Sequence, residues 1–160
     1  MIRVAVLTVS DGVAAGTRED TSGAAVAEWV ERCGWSLIEH AVVQDETREI
    51  AAAIVGWADG GGVDLILTLG GTGFGPRDVT PEATSSALQR PAPGIAEALR
   101  ARGLHDTPFA MLSRGQAGIR GRALIVNLPG SERAVREGLE VLEKVVPHAV
   151  DLLSGRTEHV

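Results

Sequence analysis

"VDLILTLGGTGFGPRDVTPEAT", residues 63–84, is the stretch on which the fold turns. Its first seven residues are apolar on both faces except for Asp64 and Thr68. A run of that kind reads as a strand covered on both sides, not one alternating between core and water. The run stops at Gly70, Gly71, Thr72 and Gly73. Glycines there allow either a plain tight turn or a cradle in which backbone N–H groups approach an anion without Cβ interference. Thr80 and Pro81 then read as the cap and first residue of a helix, and Glu82 in the first turn suits the helix dipole. Asp78 lies two residues ahead of that cap, so capping does not account for it.

Working outward, the same alternation recurs. "IRVAVLTV" (2–9) is a buried strand, and "SGAAVAEWVERCG" (22–34) places Ala25, Val26, Trp29, Val30 and Cys33 on one helical face, with Gly34 as the stop. "WSLIEHAVV" (35–43) reads as a strand of mixed burial, and "TREIAAAIVGWAD" (47–59) repeats Ile50, Ile54 and Trp57 at helix spacing. This β-α-β-α-β order predicts an α/β domain with a mostly parallel sheet covered by helices on both faces. Helical segments follow around 81–89 and 93–102. "ALIVNLP" (123–129) is a further strand, and "MLSRGQAGIRG" (111–121) can pair with it as an antiparallel hairpin. Residues 132–153 form a last helix with Val135, Leu139, Leu142, Val146 and Ala149 on its apolar face, which Pro147 should kink or divide.

The chain of 160 residues reads as a single domain, 1–154, with 155–160 a disordered tail. A net charge of −6, three Trp, two Phe and no Tyr argue against a nucleic-acid surface, which needs a basic footprint and stacking platforms. Cys33 is the only cysteine, so neither an internal disulfide nor a cysteine zinc site can form, and a reducing cytoplasmic setting is expected. His40, His105, His148 and His159 share no ligand spacing. The apolar N-terminus is too short to span a membrane. Lys144 is the only lysine, and the glycine loop is neither GxGxxG nor a lysine-bearing phosphate loop.

In an open parallel sheet, ligands sit outside the carboxyl ends of the strands. The loop after the first strand, residues 10–23, opens with Ser10 and Asp11 and ends in Asp20, Thr21 and Ser22, any of which can cap the next helix. The loop after the second strand carries Asp45, for which pattern alone favours a cap. Asp78, beside amides able to hold phosphate, suggests a divalent cation between carboxylate and substrate. Arg77 reads equally as a phosphate contact or a solvated arginine. In "LPGSER" (128–133), Ser131 caps the last helix, and with Gly130 that helix start can also hold an anion.

Four blocks, "VSDGVAAGTREDTSG", "TLGGTGFGPRDVTPEAT", "TPFAMLSRGQAGIRG" and "LIVNLPGSERAV", resemble in order the molybdopterin adenylyltransferases, which are similar to the G domain of gephyrin and of its plant counterpart. The resemblance covers about residues 3–154. It implies a three-layer α/β/α sandwich with a mixed, mostly parallel sheet, the molybdopterin-binding fold, assembled as a homotrimer. It implies transfer of AMP from MgATP to the molybdopterin phosphate with release of pyrophosphate, the product passing to a separate molybdenum insertase. It makes Asp78 and Asp45 the essential carboxylates and holders of Mg²⁺. The substrate contacts it implies are Ser10, Gly70, Gly71, Thr72, Gly73, Ser113, Gly130 and Ser131. Arg90-Pro91 departs from the charged Arg-Glu pair of many relatives. The rival readings are a non-catalytic molybdopterin-binding paralogue, a scaffold, and an unrelated phosphate-binding α/β transferase. The last would not account for the "LSR" and "NLPGS" blocks.

Overall fold

The computed structural model of the chain describes residues 1–156. Its elements run β1 (Arg3–Val9), α1 (Asp11–Ala14), α2 (Thr21–Arg32), β2 (Ser36–Val43), α3 (Thr47–Asp59), β3 (Leu65–Leu69) and α4 (Thr80–Ala87). The second half adds β4 (Arg90–Pro91), α5 (Pro93–Leu104), a 3-10 turn (Pro108–Leu112), β5 (Ala117–Arg120), β6 (Ala123–Leu128) and α6 (Glu132–Leu153). The strands form a single sheet in the order β2-β1-β3-β6-β5-β4. β2, β1, β3 and β6 are parallel, while β5 is antiparallel to both β6 and β4. The expected hairpin is there: β5 and β6 meet at a turn where Gly121 has φ 58°.

Alternation along the central strands splits the core into two layers. Val4, Val6, Leu65, Leu67, Leu124, Val126 and Leu128 face α2 and α6, together with Trp29, Leu139 and Leu142. Ala5, Leu7, Val9, Ile66 and Ile125 face the other way, onto Ile50 and Ile54 of α3 and Ala83 and Ala87 of α4. Because both faces are covered, the central strands lack the polar alternation of a half-exposed sheet. β2 is one edge strand, β4 the other, and Glu39 and His40 of β2 are exposed.

α6 is one uninterrupted helix, so of the two expected effects of Pro147, a kink or a division, the division does not occur. Val135, Leu139, Leu142, Val146 and Val150 are buried along its length, while Pro147 lies on the exposed face. The packed stripe carries the helix past the missing N–H, and water can reach the carbonyl it leaves free. Gly155, with φ 85°, and Arg156, paired to Asp151 at 2.7 Å, close this helix; the rest of the expected tail, 157–160, lies outside the described residues. Among the described residues, no helix is long and apolar enough to cross a membrane.

The register fixes where a ligand can bind. Thr8 of β1 pairs with Val42 of β2 and with Leu69 of β3, and Leu69 pairs with Leu128 of β6. The four parallel strands therefore end level, and their loops rise from one edge of the sheet.

Candidate active site

At that edge a pocket of about 210 Å³ brings together Ser10, Asp45, Gly70, Gly71, Asp78 and Gly130, six residues singled out by the sequence. Thr72, Gly73 and Ser113 line a neighbouring, more apolar pocket of about 300 Å³ with Asn127, Leu99 and Phe109. The glycine loop is shared: Gly70 and Gly71 face the first pocket, Thr72 and Gly73 the second. Ser131 lines neither; its Oγ accepts from the N–H of Ala134 and caps α6.

The glycines have separate reasons to be glycine. Gly70 has φ 100°, and a Cβ there would stand 2.5 Å from the carbonyl oxygen of Val9. Its N–H is committed to Leu128 O at 3.0 Å, which joins the ends of β3 and β6. Gly71 has φ 69°, and a Cβ there would collide with Thr80 Oγ1 and come to 3.2 Å from Asp45 Oδ1. Among the described residues, the N–H groups of Gly71, Thr72 and Gly73 have no hydrogen-bond acceptor, so they are free for an anion.

Asp45 is not a helix cap. α3 begins at Thr47, Glu46 occupies the cap position without a side-chain bond, and Asp45 Oδ2 accepts from the N–H of Asp11 at 2.8 Å. Burial pushes the Asp45 carboxyl above its ordinary value; the Asp11 N–H bond opposes this, and the charges of Asp11 and Asp78 add to it. Asp78 Oδ2 accepts from the N–H of Gly75 at 2.9 Å, holding its own turn. Thr80 is not the cap the sequence suggests either. Val79 takes that position, Thr80 N–H donates to Gly71 O at 3.1 Å, and the fully buried Thr80 hydroxyl has no partner. The Pro81 ring lets the helix start here because it needs no acceptor for an N–H.

Arg77 is 54% exposed, as the solvated reading expects, but it is held by protein carboxylates. It donates to Asp11 and Glu46, which raise its pKa through those bonds, and it stays outside the pocket lining. The residue that secures the glycine loop is Arg114, which sequence reasoning missed. Its N–H donates to Thr72 O at 2.8 Å, its Nε to Gly73 O at 2.8 Å, its Nη2 to Asp78 O at 2.8 Å, and its Nη1 pairs with Glu82. Only its place beside Ser113 in the "LSR" block signals it.

Asp20 is the cap among the three candidates and does more besides, while Asn127 went unmarked. Asp20 caps α2 from Oδ1, while its Oδ2 accepts from Thr8 Oγ1 at 2.8 Å and lies 3.1 Å from His40 Nε2. Asn127 is buried in β6; Nδ2 donates to Thr68 and Thr84, and Oδ1 accepts from Gln116 N–H. Ser22 Oγ donates to Gly130 O at 2.6 Å and ties the α2 start to the last loop.

A mostly parallel sheet with level strand ends, a glycine loop with free amides, and four carboxylates (Glu19, Asp20, Asp45 and Asp78) in one pocket define an α/β domain with a polar ligand site at its strand ends. The family of the probable molybdopterin binding domain matches residues 5–148, and the chain belongs to that family. It is similar to the molybdopterin adenylyltransferase of Helicobacter pylori strain J99, 40% identical over 156 residues, covering 96% of this chain and 89% of that protein. It is 43% identical over 163 residues to gephyrin of Dictyostelium discoideum, covering 96% of this chain but only 23% of gephyrin. The crystal structure of the molybdopterin biosynthesis enzyme MoaB from Thermus thermophilus superposes with a TM-score of 0.91 at 50% identity, covering 97% of this chain and 98% of that one.

Proposed function

We propose that the protein is a molybdopterin adenylyltransferase of molybdenum cofactor biosynthesis, a nucleotidyltransferase that moves AMP from ATP to the molybdopterin phosphate. The observation that carries this is the meeting of Asp45 and Asp78 beside the glycine loop, in a chain 40% identical over 156 residues to such an enzyme. In the reaction, a phosphate oxygen of molybdopterin attacks the α-phosphorus of ATP. The new P–O bond forms as the bond to the β-phosphate oxygen breaks, and pyrophosphate leaves with that electron pair. Such a transfer needs in-line placement and charge stabilisation more than a strong base.

The free amides of Gly71, Thr72 and Gly73 take phosphate oxygens, with Ser10, Ser113 and Gly130 as further contacts. Gly70 serves by letting the loop pass close to β1. Asp45 and Asp78 would hold Mg²⁺ when substrate phosphates are present. The donor set fits a shared cation: Asp45 is pressed by burial and by neighbouring carboxylates, and two carboxylates are typical of a Mg²⁺ site that also uses phosphate oxygens. Among the described residues, no three His, Cys, Asp or Glu side chains group to hold a metal without substrate. When bound, Mg²⁺ would offset the negative charge that develops between the phosphates. The family resemblance extends this reading to a homotrimer that hands its product to a separate insertase.

The test is release of pyrophosphate from the purified protein given molybdopterin and MgATP, run beside Asp78→Asn. Turnover in the parent and near-silence in the variant are expected. Molybdopterin binding without turnover in the parent would replace the enzyme by a binding paralogue.

A further inference from the structure

Asp45 and Asp78 hang on different loops, and the sheet alone does not fix their separation. Arg114 anchors the Asp78 backbone, and a ring of contacts ties that loop to Asp45. Asp11 N–H donates to Asp45 Oδ2 at 2.8 Å, and Asp45 N–H donates to Asp11 Oδ1 at 3.0 Å. Arg77 grips the same Asp11 carboxylate, Nε on Oδ2 and Nη2 on Oδ1, both at 3.0 Å. Its Nη1 donates to Glu46 Oε1 at 2.9 Å. Glu46 follows Asp45 in the chain, and Arg77 precedes Asp78, so the ring closes on the neighbours of both carboxylates.

This ring is poorly explained as a source of stability. The Arg77 and Asp11 side chains are 54% and 45% exposed, so solvent screens their attraction even though the pair is bidentate. A bidentate arginine–carboxylate pair instead fixes direction. Neither residue lines the pocket, and all three guanidinium nitrogens are already occupied by protein carboxylates. The arrangement orients the groups that meet the ligand without meeting it.

We propose that Asp11 and Arg77 are positioning residues, a clamp that sets Asp45 and Asp78 at the separation adenylyl transfer requires; this rests on the adenylyltransferase reading. The clamp joins the loops after β1, β2 and β3, so losing Asp11 or Arg77 lets the Asp45 loop shift relative to Asp78, which Arg114 and Gly75 still anchor. Misplacement on the ångström scale lowers a positioned reaction by roughly 100-fold.

The experiment is steady-state kinetics on the full chain with molybdopterin and MgATP for the parent, Asp11→Ala, Arg77→Gln, the double variant and Arg77→Lys, each with a thermal melt. Each single loss should lower kcat by roughly 10- to 100-fold, with KM for ATP nearly unchanged because no ligand contact is removed. The double variant should be no worse than the weaker single, since one device is broken once. Arg77→Lys, which keeps the charge but not the fork, should recover part of kcat. A raised KM for ATP with intact kcat in Arg77→Gln would make Arg77 a phosphate contact and overturn the clamp. Additive losses in the double variant, or a kcat loss that only follows a lowered melting temperature and is not relieved by lysine, would also overturn it. A silent parent protein would instead remove the adenylyltransferase reading, and the clamp's role with it.

Discussion

Gly70→Ala should destabilise the protein by about 3 kcal/mol, and the figure can be assembled from two sources. Gly70 has φ 100°, a conformation that costs an L-residue about 1–2 kcal/mol. The added methyl would also stand 2.5 Å from Val9 O, a backbone atom at the end of β1. Neither side can yield freely: Ser10 N–H is bonded to Val43 O at 3.0 Å, and Gly70 N–H to Leu128 O at 3.0 Å. Relieving the collision stretches one of these bonds, each contributing about 1 kcal/mol. For a chain of this size the melting temperature should fall by about 6–12 °C. Gly61→Ala is the internal control. Gly61 has φ 75° but nothing within 4 Å of its would-be Cβ, so it carries the backbone strain without the collision. Urea denaturation of both variants, with m-values checked for equality, isolates the difference. If the two unfold at the same midpoint, the close packing of β1 against the glycine loop does not have the energetic weight assigned to it.

Asp45→Asn should abolish turnover while raising the melting temperature at pH 7. The carboxyl's folded pKa is raised, so its contribution to stability is present below the unfolded value of about 3.9 and is lost as pH rises through the folded value; the gain in the variant should vanish in melts near pH 3, and a gain that persists there would refute the assignment. Thr80→Val removes a buried hydroxyl without a partner and should stabilise by about 1 kcal/mol in urea titration; a loss would mean that the hydroxyl is hydrogen-bonded in solution. Asn127→Ala breaks bonds to Thr68, Thr84 and Gln116 and should cost about 3 kcal/mol, with a measured cost under about 1 kcal/mol excluding that network as a support of β6.

The sheet was legible in the sequence because its central strands are apolar on both faces and its helices repeat at the right period. "VDLILTL" and "ALIVNLP" could hardly be read otherwise. Pro147 does not divide α6, because the buried stripe from Val135 to Val150 outweighs the local propensity to break. Thr80 did mislead. Threonine before proline is a sound cap signal, but here Gly71 O takes the Thr80 N–H and pulls the helix start inward.

The site was legible where a residue had no local task. Asp78 stood out because capping could not explain it, and the free loop amides followed from glycine chemistry. Asp45 was hidden by a plausible local role, and only the family resemblance raised it. Arg114 and Asp11 were hidden more deeply, because their work is done across the chain. Arg114 reaches Gly73, 41 residues away, and Asp11 reaches Asp45 and Arg77 across 34 and 66. Partners at such separations leave no periodicity and no cap signature. What a single sequence marks is a group left over once local structure is satisfied. The supports of such a group look ordinary until the strands that carry their loops are set level.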